Sequence, residues 1–152
     1  MGSRDSVACR WRWRRPGWNE ACFFRIVRAE RVEDLIVYQK SLALADEISV
    51  LLKRDSFKRD FKLRDQLGTS SEAVPSLISE GFGQKTDRHF ASYLYRARGS
   101  SKETRTHLHV ATTRERMNAE ERDRLQARYN EVEKMLTGLI KHLNREDRRQ
   151  RG

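Results

Sequence analysis

The sequence has few of the residues that make tight turns, with only 8 glycines and 2 prolines among 152 residues. A β-sandwich or β-barrel needs a turn about every ten residues, so this composition argues against both folds. No segment approaches the roughly 18 consecutive apolar residues that a membrane helix requires. The two cysteines, Cys9 and Cys22, cannot form a disulfide framework and lack the spacing of metal ligands. We therefore expect a cytoplasmic protein of a reducing compartment, without a membrane span.

Residue patterns that carry catalysis or bind metals are also missing. A di-iron centre in a helical bundle needs a histidine three residues after a glutamate on two helices. None of the four histidines has this spacing, and His107 and His109 would point to nearly opposite sides of a helix. Residues 81–85 lack both the strand and the spacing of a phosphate-binding loop. The sequence therefore predicts no enzyme activity, no cofactor, no metal and no small-molecule substrate.

Residues 1–31 differ from the rest of the chain, since they contain all three tryptophans, both cysteines and many arginines. Their apolar residues follow neither a helical nor an alternating pattern, and Arg25 interrupts a run too short for a secretory signal. We predict a basic, disordered extension. The alternating arginines and tryptophans at residues 10–15 leave two other interpretations open, because such runs also coat anionic membranes or stack on nucleic acid.

From Val32 onward, apolar residues recur at steps of three and four, which places them on one face of a helix. Four such stripes are present, and no segment alternates with the period of two expected for a strand. The stripes are Leu35, Tyr38, Leu42, Ala45, Ser49 and Leu52, reinforced by Ile48 and Leu51; Leu63, Leu67, Ser70, Val74 and Ile78, with Leu77 and Phe82 beside them; Phe90, Leu94, Ala97, Ser101, Thr104, Leu108 and Ala111; and Leu125, Tyr129, Val132, Leu136, Leu139 and Leu143. The sequence therefore predicts an all-α fold.

Local signals mark where the predicted helices begin and end. Asn118 followed by Glu121 is a capping box, in which the glutamate reaches back to the start of the helix. Thr86 supplies a hydroxyl cap. Gly81 and Gly83 are placed to close the second helix through the left-handed turn that glycine tolerates.

Short connections between long helices make consecutive helices antiparallel. Pro75 lies within the second stripe, and we predict that the helix there is kinked but continuous. The expected architecture is an antiparallel up-down-up-down four-helix bundle over residues 32–145. A basic disordered tail is expected at residues 146–152.

Two segments carry an excess of positive charge, in a chain with a formal net charge of +10. Such clusters neutralise phosphates and bind RNA or DNA without sequence preference. The alternative is a set of ordinary solvated helix faces, because no recognition helix or aromatic stacking motif is evident within the bundle. The candidate nucleic-acid-binding residues are Lys53, Arg54, Lys58, Arg59, Lys62 and Arg64 in the first segment, and Lys85, Arg88 and Arg96 in the second.

Small side chains fall seven residues apart in the third helix, at Ser92, Gly99 and Thr106. Two interpretations are open for this stripe. It allows tight packing between helices of one bundle, or it forms a seam where another subunit approaches.

Several ordered motifs resemble a known family of four-helix-bundle proteins. They lie at residues 33–40 (EDLIVYQK), at residues 65–83 (DQL through VPS to ISEGFG), at residues 93–108 (YLYRARGS and the following Glu103) and at residues 136–140. The chain is similar in these segments to the proteins first noticed as reading frames within intervening sequences of bacterial 23S ribosomal RNA genes. Gly68 and Thr69 depart from the pattern, because the family usually has paired arginines there.

The resemblance implies a small cytosolic homo-oligomer, and specifically a pentameric ring of bundles. A related branch is the accessory variability protein of diversity-generating retroelements, a basic pentamer that associates with reverse transcriptase and nucleic acid. The resemblance therefore extends the possible partners from RNA or DNA to a nucleic-acid-binding protein. It assigns no biochemical activity.

Charged and small residues within the shared motifs are candidates for a structural or oligomer contact: Glu80, Gly81, Arg98, Gly99 and Glu103. We hypothesise that Glu80 or Glu103 pairs with Arg98 across the second and third helices. The alternative is three independent surface charges. The overall interpretation is a non-enzymatic, homo-oligomeric bundle that binds RNA, DNA or a nucleoprotein. A structural module that binds only another protein is the alternative, and membrane-surface association through residues 1–31 is a third.

Overall fold

Helices make up the regular structure of residues 29–152, the part of the chain that the computed structural model describes. A short 3-10 turn at Val32–Asp34 precedes five helices: α1 (Ile36–Leu51), α2 (Asp55–Lys58), α3 (Phe61–Phe82), α4 (Asp87–Thr113) and α5 (Ala119–Arg151). No strand is present in these residues, so the predicted all-α class is confirmed for them. No helix in the same region is both long enough and apolar enough to cross a bilayer. The predictions for residues 1–28 lie outside the described residues.

Side-chain caps fix the starts of the three longest helices. The hydroxyl of Thr86 accepts a hydrogen bond from the backbone N–H of His89, and the Asn118 side chain accepts one from Glu121 at 2.8 Å. Both predicted caps are thus confirmed. The predicted contact from the Glu121 side chain back to the start of the helix is wrong, because the Glu121 carboxylate binds the guanidinium of Arg54, the residue before α2.

The two glycines near the end of α3 do not close the helix through the predicted left-handed turn. Gly83 follows the helix with a φ of −75°, so no left-handed turn closes the helix there. Gly81 lies inside α3 and is buried, because α4 packs closely against its backbone. A Cβ at Gly81 would lie 2.7 Å from the Cβ of Tyr93 and 2.8 Å from the ring of Phe90. Close helix packing, rather than a turn, is therefore the reason for a glycine at position 81.

Helix α3 continues through Pro75, as predicted. Proline cannot donate a backbone hydrogen bond, so the helix is weakened at this point. The hydroxyls of Ser70 and Ser71, just before it, donate one turn back to the carbonyls of Leu67 and Gly68. Pro75 itself is buried, and its packing contributes to the core.

Two segments outside the predicted long helices are helical. The connection after α1 contains the short helix α2, whose Phe57 is completely buried and anchors the connection to the core. The prediction of a disordered tail at residues 146–152 is corrected by the structure, since α5 continues to Arg151. Residues 139–151 contain no glycine or proline, and Arg149 donates to Glu146 at 3.0 Å one turn earlier. Helical geometry therefore persists beyond residue 145.

The four long helices enclose one core. Helix α1 contacts α3 and α5, and α4 contacts the same two helices from the other side. Hydrogen bonds between side chains of α4 and α5 pair Arg98 with Thr137 and Ser101 with Glu133. Residue numbers therefore rise along α4 in the direction in which they fall along α5. The fully buried side chains include Leu44, Ile48, Leu67, Ile78, Leu94, Leu108, Tyr129, Leu136 and Leu143.

The predicted core face is correct for most of the chain but only partly correct on α1, where Ala45, Ile48 and Leu51 are buried as predicted. There the buried side chains are Val37, Ser41, Leu44, Ala45, Ile48 and Leu51. Leu42 and Ser49, both assigned to the apolar stripe, are exposed. Helix α1 has apolar residues around much of its circumference, so spacing alone does not define which face meets the other helices.

Candidate nucleic-acid interface

The first basic segment, residues 53–64, forms a corner where ends of the four long helices meet, and we refer to it as the basic corner. It runs from the end of α1 through α2 to the first turn of α3. Arg54 binds Glu121 at the start of α5 through two hydrogen bonds of 2.7 and 2.9 Å. Asp60 binds Arg114 just after α4. With Phe57 buried beneath it, the corner is held to the core and to the adjoining ends of α4 and α5.

Both acidic residues of the basic corner are already engaged in ion pairs. Lys58 lies 2.6 Å from Asp55. Asp60 has two cationic partners, with Arg114 at 3.1 Å and Arg116 at 3.7 Å. These carboxylates therefore have less negative charge available to neutralise the other cations of the corner.

The contacts of Asp60, Glu121 and Arg54 favour the charged forms of these three groups. Partial burial acts to raise the pKa of Asp60, but the hydrogen bond and charge of Arg114, the Leu63 backbone N–H and the charge of Arg116 lower it overall. The Arg54 guanidinium holds the pKa of Glu121 below its usual range, and Glu121 in turn raises the pKa of Arg54. Asp60, Glu121 and Arg54 are therefore charged over the physiological pH range.

Four cations of the basic corner remain after this pairing: Lys53, Arg59, Lys62 and Arg64. All four are exposed, and none forms an ion pair with another residue in the described part of the chain. Asp65 follows directly and is exposed as well, so the local excess is partly offset at that side. The basic corner nevertheless presents more positive than negative charge to solvent.

The second basic segment does not join this patch. Lys85 and Arg88 lie at the start of α4, whereas the basic corner lies near its end. The 27 residues of α4 separate these ends by about 40 Å. Arg96 lies between them, with its guanidinium carbon 5.3 Å from the centre of the Tyr93 ring. The predicted nucleic-acid-binding residues therefore fall into two separate regions.

Two other arginines near the second segment serve packing between α4 and α5. Arg98 donates to the hydroxyl of Thr137 at 3.2 Å. Arg105 donates to Gln126 at 2.6 Å and lies 3.3 Å from the carboxylate of Glu133, which is 8% exposed. Such partners leave these guanidinium groups less available to a phosphate.

The hypothesis that Arg98 pairs with Glu80 or Glu103 is wrong. Arg98 reaches α5 instead, and its guanidinium carbon lies 5.1 Å above the ring of Tyr95. Glu103 lies 3.5 Å from Nε2 of His107, one turn along the same helix. Glu80 is exposed and makes no ion pair within the described residues. The sequence did not reveal Thr137 as the partner of Arg98, because no local spacing relates residues that lie 39 positions apart on two helices.

The stripe of small residues on α4 faces solvent. Ser92, Gly99 and Thr106 are all exposed, and a Cβ at Gly99 would meet no atom within 4 Å. Tight packing within one bundle is therefore the wrong interpretation of the stripe. Contact with another subunit stays a prediction.

An aromatic side chain in the basic corner was not identified from the sequence. Phe61, the first residue of α3, is 68% exposed, and the guanidinium carbon of Arg64 lies 5.5 Å from its ring centre. Phe61 precedes the apolar stripe that begins at Leu63, and this offset was the signal that it points away from the core. Groups of three or more His, Cys, Asp or Glu that could hold a metal do not occur in residues 29–152.

The fold and surface define a small all-α protein with a basic corner. The family model for the 23S rRNA-intervening sequence protein matches residues 33–138. The chain therefore belongs to the 23S rRNA-intervening sequence protein family, which confirms the resemblance seen in its motifs. No curated protein matches the chain.

A solved structure with the same fold comes from Bacteroides thetaiotaomicron. It is described as a protein with unknown function from the S23 ribosomal protein family. The two chains are 24% identical and superpose with a TM-score of 0.64, over 70% of this chain and 99% of the other. At this identity the likeness shows a shared fold.

Proposed function

We propose that this protein is a non-enzymatic nucleic-acid-binding protein whose basic corner attracts phosphates without sequence preference. One observation carries the proposal: Lys53, Arg59, Lys62 and Arg64 are exposed at a single corner, while both acids of that segment are held by other cations. Phosphate binding by such groups releases counterions from the nucleic acid, which favours association.

The rigidity of the corner supports this role. Ion pairs to Glu121 and Arg114 hold its backbone, so the backbone positions that carry Lys53, Arg59, Lys62 and Arg64 are defined before any ligand binds. Preorganisation lowers the entropic cost of association. The chain's formal net charge of +10 acts in the same direction, because it steers a polyanion toward the surface.

The proposal includes a homo-oligomer, and specifically a pentamer of antiparallel four-helix bundles in the cytoplasm. The exposed stripe of Ser92, Gly99 and Thr106 supports an approach of a second copy, because small side chains allow close contact between helices. Several copies of the basic corner on one assembly would increase the affinity for a long nucleic acid through avidity.

A salt titration tests the proposal. Binding of a single-stranded RNA and of a duplex DNA is measured by fluorescence anisotropy from about 50 to about 200 mM salt. For four phosphate contacts, the affinity should fall by about 50-fold for the single strand and about 150-fold for the duplex. Absence of binding to both at low salt would contradict nucleic-acid binding.

Two matched variants locate the site. In the first, Lys53, Arg59, Lys62 and Arg64 are replaced by Gln, and the affinity and its salt dependence should both decrease strongly. In the second, Lys85, Arg88 and Arg96 are replaced by Gln, which removes three exposed charges far from the corner. The slope of affinity against salt should decrease in both variants, and the decrease in the second should be less than half of that in the first. The reverse order of effects would assign binding to the second segment.

A second candidate function is an interaction module that binds only another protein. Exposed apolar side chains favour it, since Leu42 on α1 is 41% exposed and Val50 is 64% exposed. This candidate predicts no nucleic-acid affinity at any salt concentration, so the same titration distinguishes the two functions.

A further inference from the structure

The basic corner contains two phenylalanines in opposite environments. Phe57 in α2 is 0% exposed and fills the core beneath the corner. Phe61, four residues later, is 68% exposed and is the most exposed large apolar side chain in the described part of the chain. Phe61 therefore contributes little to the folding of a single chain, and its ring is open to a ligand.

One arginine lies over the Phe61 ring, and two further cations lie within two residues of it in the sequence. Arg64 lies one helical turn further along α3, and its guanidinium carbon is 5.5 Å from the ring centre. Lys62 is the next residue along the chain, and Arg59 is two residues before the ring; both are exposed. The neighbouring carboxylate of Asp60 is held by Arg114. An apolar flat surface is thus combined with unpaired positive charge.

The backbone that carries the ring is fixed. Asp60 accepts a hydrogen bond from the backbone N–H of Leu63 and two from Arg114, which joins the start of α3 to the end of α4. Phe61 directly follows the capping residue Asp60 and lies two residues before Leu63, the first core residue of α3. The ring therefore extends from a defined position and pays little ordering entropy on binding.

We propose that Phe61 is a stacking platform for an unpaired base, so that the basic corner binds single-stranded nucleic acid in preference to a duplex. This inference rests on the proposed function and specifies its ligand. An aromatic ring stacks on a base of any identity, while nearby arginines and lysines follow the phosphates. In a duplex the base faces are covered by their neighbours, so the ring has nothing to stack on.

The charge around Phe61 favours this partner over a second copy of the chain. Two copies meeting at this corner would bring Arg59, Lys62 and Arg64 of each close together, and like charges repel. A polyanion relieves that repulsion. A contact between copies is therefore an outcome that the experiment must detect, rather than the favoured occupant.

The test compares Phe61→Ala with the wild-type full chain. The probes are a single-stranded oligouridine of about 20 nucleotides and a duplex DNA of similar length. Loss of one stacked base should lower the affinity for the single strand by about 5- to 140-fold. Affinity for the duplex should change by less than about twofold, and the salt slopes should stay the same because no charge is removed.

Two further variants separate stacking from structural effects. Phe61→Trp keeps a flat aromatic ring and should retain single-strand binding. Tyr95→Ala removes another exposed aromatic residue, one that also has an arginine above its ring at 5.1 Å but lies on α4 away from the corner. Tyr95→Ala should leave the single-strand affinity unchanged.

A spectroscopic readout addresses stacking directly. A 2-aminopurine base in the single strand loses fluorescence when an aromatic ring stacks on it. Wild type and Phe61→Trp should quench this fluorescence, whereas Phe61→Ala should not.

Several results would overturn the inference. They are an unchanged single-strand affinity in Phe61→Ala, an equal loss for the single strand and the duplex, or a change in oligomer mass that accounts for the loss. If wild type binds both probes and Phe61→Ala has no effect, the stacking inference fails while the proposed function stands. If wild type binds neither probe at low salt, the proposed function itself fails.

Discussion

Arg114 donates from Nη1 to both carboxylate oxygens of Asp60, at 3.1 Å each, and joins the residue that follows α4 to the residue that precedes α3. The same carboxylate caps α3 by accepting from the Leu63 backbone N–H at 3.4 Å. Asp60 therefore holds the basic corner in place and at the same time has its own charge neutralised. A contact that stabilises the fold thus also leaves neighbouring cations available for a ligand.

Stability should fall in acid because three paired carboxylates have lowered pKa values. Partial burial raises the pKa of Asp60 and of Glu47, but arginine partners outweigh burial and lower both; Arg54 lowers the pKa of Glu121. The unfolded chain then takes up protons before the folded chain does. The contribution is complete above about pH 5 and is lost as the pH falls below about 4.

Thermal melts followed by circular dichroism from neutral pH to about pH 3 check this expectation. Glu47→Gln removes a group that pairs with both Arg124 and Arg128, so its melting temperature should depend less on pH in the acidic range. An acid dependence as steep as that of wild type would exclude a contribution from Glu47.

Arg105→Met should destabilise the protein by about 2 kcal/mol, because Glu133 would keep a buried charge with only the Ser101 hydroxyl as a partner. Replacing both Arg105 and Glu133 by Met should cost less than the single Arg105 change, since no unpaired charge then stays buried. Urea unfolding measures both values. A double variant less stable than Arg105→Met would contradict the expectation.

Alanine at two glycines of the family motifs should have opposite effects. Gly81→Ala places a Cβ 2.7 Å from the Cβ of Tyr93, and such overpacking should cost about 1–3 kcal/mol. Gly99→Ala meets no atom within 4 Å and should stabilise the chain by about 1 kcal/mol through helix propensity. Chemical unfolding at low protein concentration measures both. Destabilisation by Gly99→Ala that grows with concentration would place another copy of the chain against Gly99.

Arg98→Leu should lower the free energy of unfolding by only about 1 kcal/mol, the contribution of its hydrogen bond to Thr137. Combining it with Glu80→Gln or Glu103→Gln in double-mutant cycles should give additive losses, because neither acid contacts Arg98. A coupling energy above about 0.5 kcal/mol with either acid would restore the ion pair predicted from the sequence.

The helical fold class and the start of α4 and α5 were predictable, because a helix depends on spacing and caps within a few residues. Thr86 and Asn118 cap their helices as the sequence indicates. The α1 core face was not predictable, since Leu42 satisfies the same spacing as the buried residues yet is exposed. Which face is buried depends on the positions of the other helices.

The sequence by itself determined that this chain is helical, basic and a member of its family. Periodicity and motifs are patterns among residues close together in sequence, and charge follows from composition, so none of them requires the fold. Only the tertiary structure decided which cations of the basic corner have an acidic partner. Arg54 is paired because Glu121 lies across from it, 67 positions later in the chain, whereas Arg59 and Lys62 meet no acid in the described residues. Ion pairing falls off over a few ångströms, so only the packing of distant segments selects its partners.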